Sequence, residues 1–342
     1  MKGKKGTMDK RVTMKDIAEK LGVSKVTVSK ALKDSPDISS SLKEKIIKTA
    51  QEMGYIYNAK GRMLRENLTY SIGVISSEKY YGKDDYFYID LYKHLSNSLE
   101  KLGFTTTFNI ISQSDENDLS VPNALLEQKV DGIVILGQMS LDYIQKVLSY
   151  SYPTVFLDFY CDKFNVDCVI TDNFYATYEI TNMLIEQGHI KIGFVGNIYA
   201  TSSIQDRFLG FYKALLENKI DLNKDWIIKD RDDNNNFIDI VLPKNLPTAF
   251  VCNCDKTAYL TIEKLKSSGY KVPDDVSVVG FDDSLHAVLS QPKITTVRVN
   301  LEEMGRRTAK MMVEKIKQGE KHYGKMLIKG KIIVRESIKA LK

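Results

Sequence analysis

The sequence predicts an α/β protein in which a small helical head precedes a larger core of doubly wound parallel sheet. Two observations carry this prediction. Apolar residues recur at helical spacing up to about residue 53, and strand-like runs alternate with helical ones from Tyr70 onward. Such alternation is typical of parallel sheets that carry helices on both faces. At 342 residues the chain is long enough for two or three domains.

Two short helices joined by a tight turn are predicted between Thr13 and Leu32. Thr13 begins a capping-box-like start to the first helix, and Ser24 is placed to cap the second. Gly22 suits the turn because glycine tolerates positive φ. The pattern is a helix-turn-helix whose second helix keeps a lysine-rich outer side. Taken alone, the stretch also fits an ordinary helical hairpin with a solvated lysine face.

The next segment favours the DNA-binding interpretation. Residues 39–53 predict a third helix, capped at its start, that closes a small three-helix core. The helix ends at Gly54-Tyr55, and a short basic segment, 58–65, follows it before the strand-like run 70–77. A plain hairpin does not require this arrangement.

With these residues in view, the sequence resembles the lactose-repressor (LacI/GalR) family of bacterial transcription regulators from Val12 to about Ser337. The matching motifs occur in family order and at family spacing: VTMKDIAEKLGVSKVTVSKAL, MGYIYN, DCVITDN, GHIKIGFVG, DRFLGF, VPDDVSVVGFDD and ITTVRV. The resemblance implies a helix-turn-helix head, a hinge and a periplasmic-binding-protein-like core of two doubly wound parallel-sheet lobes. It also implies a ligand-responsive repressor of carbohydrate-utilisation genes that binds a palindromic operator as a homodimer.

The resemblance divides the chain into a basic arm, a DNA-binding domain, a hinge and an effector-binding and dimerisation domain. We expect these at 1–11, 12–57, 58–69 and 70–342, with one lobe at about 70–168 and 300–325 and the other at about 169–298. The pattern within the last domain indicates nine strands, at 70–77, 104–111, 132–137, 153–158, 167–171, 190–196, 248–253, 276–281 and 294–299.

Positive charge is concentrated in the head. Residues 1–65 hold sixteen Lys/Arg and seven Asp/Glu, which leaves 33 basic and 37 acidic residues for the other 277. A domain that sits on phosphates needs such an excess, whereas the rest of the chain does not. The four cysteines form no CxxC pair and are expected to be free thiols. With neither a membrane-length apolar run nor a signal-peptide core, a cytoplasmic location is expected.

The resemblance places three base-reading residues on the second helix: Lys25, Val26 and Lys30. Lysine donates to guanine O6 and N7, and valine contacts the thymine methyl. Phosphate contacts, which set register without reading sequence, are expected from a second group. Its members are Thr27, Ser29, Lys33, Ser39, Tyr55 and Asn58.

The segment 58–64 aligns with the hinge helix of the family, which folds on operator DNA. Leu64, with Met63 beside it, matches the leucine that is inserted into the minor groove. Tyr57 stands where the family usually has proline, and Gly61 replaces the usual alanine at a cost of about 1 kcal/mol of helix propensity. A plain flexible linker is the alternative interpretation.

Five residues match effector-contacting positions of the sugar-responsive members of the family: Ser77, Asp158, Arg207, Cys254 and Asp282. Asp158, Arg207 and Asp282 fall at strand ends or on a following helix, where side chains meet in the cleft between lobes. Carboxylates and a guanidinium suit the hydroxyls of a sugar or sugar derivative, although a structural Asp–Arg pair is the competing explanation.

Other positions depart from the family pattern. Cys254 replaces an asparagine, Val299 stands where some members have a polar residue, and the usual helix around 232–247 is expected to be shortened. An aromatic wall facing the ligand is suggested by Tyr80, Tyr81, Tyr86, Phe87 and Tyr88, although aromatic residues at such spacings more often serve ordinary packing.

The sequence contains no GxGxxG, P-loop or GxSxG motif, so we expect neither an enzyme nor a cofactor nor a metal site. The expected partners are operator DNA, a small-molecule effector and a second copy of the chain, with no membrane. Because no leucine heptad closes the sequence, a dimer is expected rather than a tetramer. Two alternatives stay open: a cytosolic sugar receptor that binds DNA weakly, and a global regulator controlled by a phosphoprotein.

Overall fold

The structure, a computed structural model, describes residues 12–32, 35–55, 67–82, 86–232, 236–319 and 321–341. The chain divides into two units, Met1–Leu68 and Thr69–Lys342. Several residues with predicted roles lie outside the described residues. These are the basic arm 1–11, Lys33 and, in the hinge, Tyr57, Asn58, Gly61, Met63 and Leu64.

The described part of the first unit holds three helices, α1 (Met14–Leu21), α2 (Lys25–Ala31) and α3 (Ser40–Glu52). The predicted capping box begins α1: the Asp16 N–H donates to Thr13 Oγ1 at 3.4 Å, and the Thr13 N–H donates to Asp16 Oδ2 at 2.7 Å. These bonds satisfy two N–H groups that a helix start leaves without partners. The predicted helix start is therefore confirmed.

The turn between α1 and α2 also forms as predicted. Gly22 has a φ of 65°, a left-handed conformation that glycine adopts without a Cβ penalty. Ser24 caps α2, because its Oγ accepts the Thr27 N–H at 3.0 Å. The predicted side-chain cap on α3 is wrong: Ser39 makes no such bond, and its backbone carbonyl accepts the Lys43 N–H instead.

A small apolar core joins the three helices. Ile17 of α1, Val28 of α2 and Ile46 of α3 are completely buried, and Ala18, Ala31 and Ala50 pack with them. Because α2 has only seven residues, one buried face of Val28 and Ala31 fixes which side points outward. The outward side begins at Lys25.

The second unit contains twelve strands in the described residues, including the nine expected from the sequence. They are β1 (Ser71–Ser77), β2 (Thr105–Ile111), β3 (Gly132–Leu136), β4 (Thr154–Leu157), β5 (Asp167–Thr171), β6 (Ile192–Val195), β7 (Ile227–Ile228), β8 (Ala249–Cys252), β9 (Ser277–Asp282), β10 (Thr295–Arg298), β11 (Lys325–Ile328) and β12 (Lys331–Ile333).

These strands form two six-stranded sheets, one per lobe. The first has the order β11-β5-β4-β3-β1-β2 and is entirely parallel. The second has the order β12-β10-β9-β8-β6-β7 and is parallel apart from β12. The first sheet therefore includes all of β5 as well as β11, and the chain passes between the lobes three times.

Helices cover both sheets. They are α4 (Phe87–Lys101), α5 (Gln113–Asn117), α6 (Asn123–Leu126), α7 (Leu141–Leu148), α8 (Asn173–Glu186), α9 (Ser202–Glu217), α10 (Asp255–Ser267), α11 (Leu285–Leu289) and α12 (Leu301–Gln318). The core of each lobe is apolar, with Phe156 and Ile135 buried in the first and Phe250 and Ile262 in the second.

Close packing of α8 against α9 positions Arg207, one of the predicted effector contacts. A Cβ added at Gly210 would lie 2.0 Å from the carbonyl oxygen of Phe174, so glycine is required for this approach. One turn before Gly210 on α9 lies Arg207, whose side chain is consequently held close to the start of α8. Among the described residues, no helix combines the length and the apolar character that a membrane span needs.

Candidate functional site

The exposed face of α2 carries the three residues predicted to read bases. Lys25 and Lys30 are exposed, and Val26 is 64% exposed although it is apolar. A solvent-facing valine at the first turn of a helix gains nothing from the core of its own domain. Its position beside two lysines is suited to a groove edge that offers both acceptors and methyl groups.

Lys30 is engaged by a neighbouring residue in the free protein. Its Nζ lies 2.9 Å from Asp37 Oδ2, and this hydrogen bond lowers the pKa of Asp37 below its usual value. Both side chains are about half exposed or more, so solvent screens this pair and it contributes little stability. Asp37 therefore holds the Lys30 side chain only weakly.

The residues predicted to contact phosphates are partly accessible. The Thr27 and Ser24 hydroxyls are 2.8 Å apart, so the Thr27 side chain belongs to the cap of α2. Thr27, Ser29 and Tyr55 are half-buried, while Ser39 is exposed. Of this group, Lys33 and Asn58 lie outside the described residues.

A cavity of about 590 Å³ lies between the two lobes of the second unit. Asp158, Arg207, Cys254 and Asp282, four of the five predicted effector contacts, line it together. Four of the five predicted aromatic residues line it as well, namely Tyr80, Tyr86, Phe87 and Tyr88.

Ser77 does not belong to this lining. It is completely buried at the end of β1, and its Oγ donates to Glu116 Oε2 at 2.9 Å. The other Glu116 oxygen accepts the Ser140 N–H at 2.6 Å, at the start of α7. Ser77 thus joins β1 to α7 through a buried carboxylate, and Tyr81 is likewise not among the lining residues.

Arg207 is anchored by several contacts at the cavity wall and is only 6% exposed. Its Nε donates to Asn173 Oδ1 at 2.8 Å, and its Nη1 donates to the Asn253 carbonyl at 2.5 Å. Its Nη2 lies 3.4 Å from Asp282 Oδ1, and the guanidinium carbon is 3.8 Å from the centre of the Phe281 ring. These contacts fix a planar donor group at the cavity wall.

Two aspartates end strands in left-handed backbone conformations. Asp158, after β4, has a φ of 69°, and Asp282, the last residue of β9, has a φ of 105°. Positive φ is uncommon outside glycine and is concentrated at functional sites. Tyr88 donates to Asp158 Oδ2 at 2.9 Å, whereas Asp158 Oδ1 is buried and has no hydrogen-bond partner. A buried oxygen without a partner is costly, and a ligand hydroxyl that reaches it would satisfy it.

The environment of Asp158 raises its pKa. Burial is the main cause and takes the pKa to about 6, although the charge of Arg207 and the Tyr88 hydrogen bond act in the opposite direction. The folded protein therefore binds this proton more tightly than the unfolded chain does. The free energy of unfolding is highest below pH 4 for this group and falls as the pH rises through about 6.

Replacing Asp158 by Asn is expected to remove this pH dependence. The variant should be more stable than the parent protein by about 1–3 kcal/mol at pH 7.5, because no charge is then buried, and this advantage should be clearly smaller at pH 4.5. Urea unfolding of both proteins at the two pH values measures the difference. An advantage of the variant that is the same at both pH values would contradict this explanation.

The structure adds a charged cluster that the sequence did not predict. Asp230 is completely buried and accepts the Asn197 N–H at 2.9 Å and the Thr257 hydroxyl at 2.6 Å. Both of its oxygens also accept from Arg231, at 2.8–3.1 Å. Burial alone would raise the pKa of Asp230, but Arg231 and these donors hold it below its usual value.

Comparison with known proteins gives matches in both units. Residues 13–58 match the model for bacterial regulatory proteins of the lacI family, and residues 181–338 match the model for a periplasmic binding protein-like domain. The helix-turn-helix and part of the two-lobed core are therefore each matched separately.

Full-length relatives match along the whole chain. The HTH-type transcriptional repressor PurR of Vibrio parahaemolyticus serotype O3:K6 is 26% identical over 335 residues, which are 96% of this chain and 99% of the relative. The ribose operon repressor of Haemophilus influenzae is 27% identical over 338 residues with the same coverage.

A solved structure shares the fold. The lac repressor dimer bound to operator and the anti-inducer ONPF aligns with a TM-score of 0.69 at 23% identity, over 96% of this chain and 99% of that one. The two parallel-sheet lobes and the N-terminal helix-turn-helix agree with the fold expected from the sequence. The chain thus carries a lacI-family helix-turn-helix domain and a periplasmic binding protein-like domain, and its full-length relatives are named transcriptional repressors.

Proposed function

We propose that the protein is a homodimeric repressor that binds a palindromic operator and responds to a sugar-like effector in the cavity between its lobes. One observation carries the proposal. The same chain presents an exposed Lys25–Val26–Lys30 face on one unit and, in the other, a 590 Å³ cavity with a fixed guanidinium and an unsatisfied carboxylate oxygen. A simple receptor has no need of the first feature.

The DNA-binding role rests on α2 and its surroundings. Lys25, Val26 and Lys30 read bases in the major groove, while Thr27, Ser29, Ser39 and Tyr55 contact phosphates together with Lys33 and Asn58. Met63 and Leu64 enter the minor groove from the hinge at 58–69. A dimer presents two such heads, so the operator has two related half-sites.

The effector role rests on the polar groups of the cavity. Asp158 accepts a ligand hydroxyl through Oδ1, and Arg207 and Asp282 supply a donor and an acceptor beside it. Tyr80, Tyr86, Phe87 and Tyr88 offer apolar faces on which a sugar ring packs. Cys254 contributes a neutral thiol, because burial raises its pKa to about 11.

Occupation of the cavity changes the populations of two lobe arrangements, and the affinity for the operator changes with them. In this proposal the arm at 1–11 and the hinge at 58–69 keep the ranges that were expected from the sequence. Regulation of chromosomal genes places the protein in the cytoplasm.

The proposal is tested by selecting a preferred duplex from random sequences and measuring its affinity by fluorescence anisotropy across a range of salt. A repressor prefers one near-palindrome over an unrelated duplex by about 10³-fold or more, and this preference persists at physiological salt. Equal affinity for all duplexes, with a steep salt dependence alone, would show that the head binds DNA without reading it.

A further inference from the structure

A hairpin stands where the sequence suggested a shortened helix. From 227 to 248, no helix is present among the described residues. Instead, Arg231 and Phe237 pair as an antiparallel bridge, and the Ile238 N–H donates to the Asp230 carbonyl at 2.9 Å. The Asn236 N–H also donates to Asp232 Oδ1 at 2.8 Å. This hairpin brings Arg231, Asn236 and Phe237 to the cavity wall.

Two cations converge on the ring that the hairpin presents. The Arg231 guanidinium carbon lies 4.6 Å from the centre of the Phe237 ring, and Lys256 Nζ lies 4.2 Å from it. The two charged groups are consequently no more than about 9 Å apart. Both side chains line the cavity, so both are placed to interact with a bound molecule.

Arg231 and Lys256 differ in how far a neighbouring carboxylate already neutralises their charge. Arg231 is held in a fixed orientation by both oxygens of Asp230. Lys256, in contrast, forms no ion pair with any residue that the structure describes, and it is half-buried at the first turn of α10. A half-buried ammonium that has no counter-ion in the described part of the chain is a site of positive potential there, which the start of a 13-residue helix strengthens.

The described carboxylates of the cavity do not cancel this potential. Asp282 is paired with Arg207, and Asp283 lies 2.6 Å from Arg298 and 2.5 Å from Arg335. Asp158 accepts a hydrogen bond from Tyr88 and lies in the field of the Arg207 charge. Asp90 is exposed on α4, in the first lobe, whereas Lys256 is in the second.

We infer that Lys256 and Arg231, whose charged groups both lie against the Phe237 ring, form a subsite for an anionic group on the effector. The inference rests on the proposed function and narrows it: the ligand is a sugar-like molecule that carries a carboxylate or a phosphate, rather than a neutral sugar. A charge-assisted bond from Lys256 and the planar Arg231 hold the anion. The ring hydroxyls remain for Asp158, Arg207 and Asp282.

Isothermal calorimetry on the full chain, with matched neutral and anionic probes, tests this subsite. The probes are glucose with gluconate and glucose 6-phosphate, galactose with galacturonate, and ribose with ribose 5-phosphate. An anionic probe is expected to bind most tightly. Lys256→Gln should weaken that probe by about tenfold or more, since a hydrogen bond to a charged group is lost. Comparison of carboxylate with phosphate probes identifies the anion.

Lys266→Gln is the matched control, because it removes the same charge from the same helix at a residue that does not line the cavity. It should leave the affinity unchanged, and Lys256→Arg should restore most of the loss. The inference is overturned if a neutral probe binds most tightly, if no anionic probe binds, or if Lys256→Gln and Lys266→Gln bind the anion alike. A neutral sugar that binds and alters operator affinity would leave the proposed function intact.

Discussion

Replacement of both Lys25 and Lys30 by alanine is expected to lower the affinity for the selected operator by roughly 100-fold or more at physiological salt. Each lysine that donates to a guanine contributes about 1–3 kcal/mol of discrimination, and two such contacts at separate positions are close to additive. Both side chains are exposed, so their removal leaves the core of Ile17, Val28 and Ile46 unchanged. Fluorescence anisotropy with operator and unrelated duplexes provides the measurement.

A second double variant separates base reading from general attraction to DNA. Lys20 and Lys48 are exposed on α1 and α3, and their replacement by alanine removes the same net charge. Both double variants should lose affinity for unrelated duplexes to a similar degree, because that affinity depends on phosphate charge. The preference for the operator should disappear in the Lys25/Lys30 variant alone. If both double variants kept the same preference for the operator, α2 would not be the helix that reads its bases.

Arg207→Ala is expected to destabilise the second unit by about 3–5 kcal/mol, the usual cost of removing one member of a buried charged pair. The change removes the donor to Asn173 Oδ1 and to the Asn253 carbonyl, as well as the guanidinium that packs on the Phe281 ring. The thermal stabilisation that an effector gives, about 2.7 kcal/mol at 100 times its dissociation constant, should be lost as well.

Two further substitutions keep this prediction informative if the alanine variant does not fold. Arg207→Lys retains a charge but not the planar fork, so the protein should fold and yet bind its effector at least about tenfold more weakly. Arg306→Ala, at an exposed residue paired with Glu303, should leave both properties unchanged. Normal effector binding by Arg207→Lys would show that Arg207 is a structural residue only.

Local chemistry explains why the head was predicted in detail. Thr13, Asp16, Gly22 and Ser24 each act on the backbone within four residues, so sequence spacing determines their contacts. The predicted side-chain cap on α3, which rested on equally short spacing, was wrong. Serine at an N-cap is favoured but does not have to bond, and the Ser39 side chain does not do so. The Lys30–Asp37 pair depends on the loop between α2 and α3, whose course spacing alone does not specify.

The sequence predicted where the strands lie but not the order in which they pair within each sheet. Nine apolar runs gave nine strands, because a buried parallel strand is a short apolar run bounded by turn residues. The missed strands lacked this signal: β7 has two residues, while β11 and β12 carry lysines on exposed edges. The assignment of strands to two sheets came from the family resemblance, since buried strands of similar composition do not specify their neighbours.

At the ligand cavity, the predicted contacts rested on the rule that residues at or after strand ends meet in the cleft. Asp158, Arg207, Cys254 and Asp282 come at or after strand ends and meet in the cavity, as that rule requires. Ser77 obeys the same rule, yet its hydroxyl is taken by Glu116, a tertiary partner 39 residues away. Arg231 and Phe237 were missed because the hairpin that carries them has neither helical nor strand periodicity and begins in a charged run.

The central claim is that occupation of the cavity changes how tightly the head holds its operator. It is tested most directly by measuring the affinity of the full chain for the selected operator without ligand and with a saturating concentration of the tightest-binding probe. The account predicts a change of about 5–150-fold, in either direction, that Arg207→Lys abolishes at the same ligand concentration. Superimposable binding curves, while calorimetry shows the cavity to be filled, would contradict it.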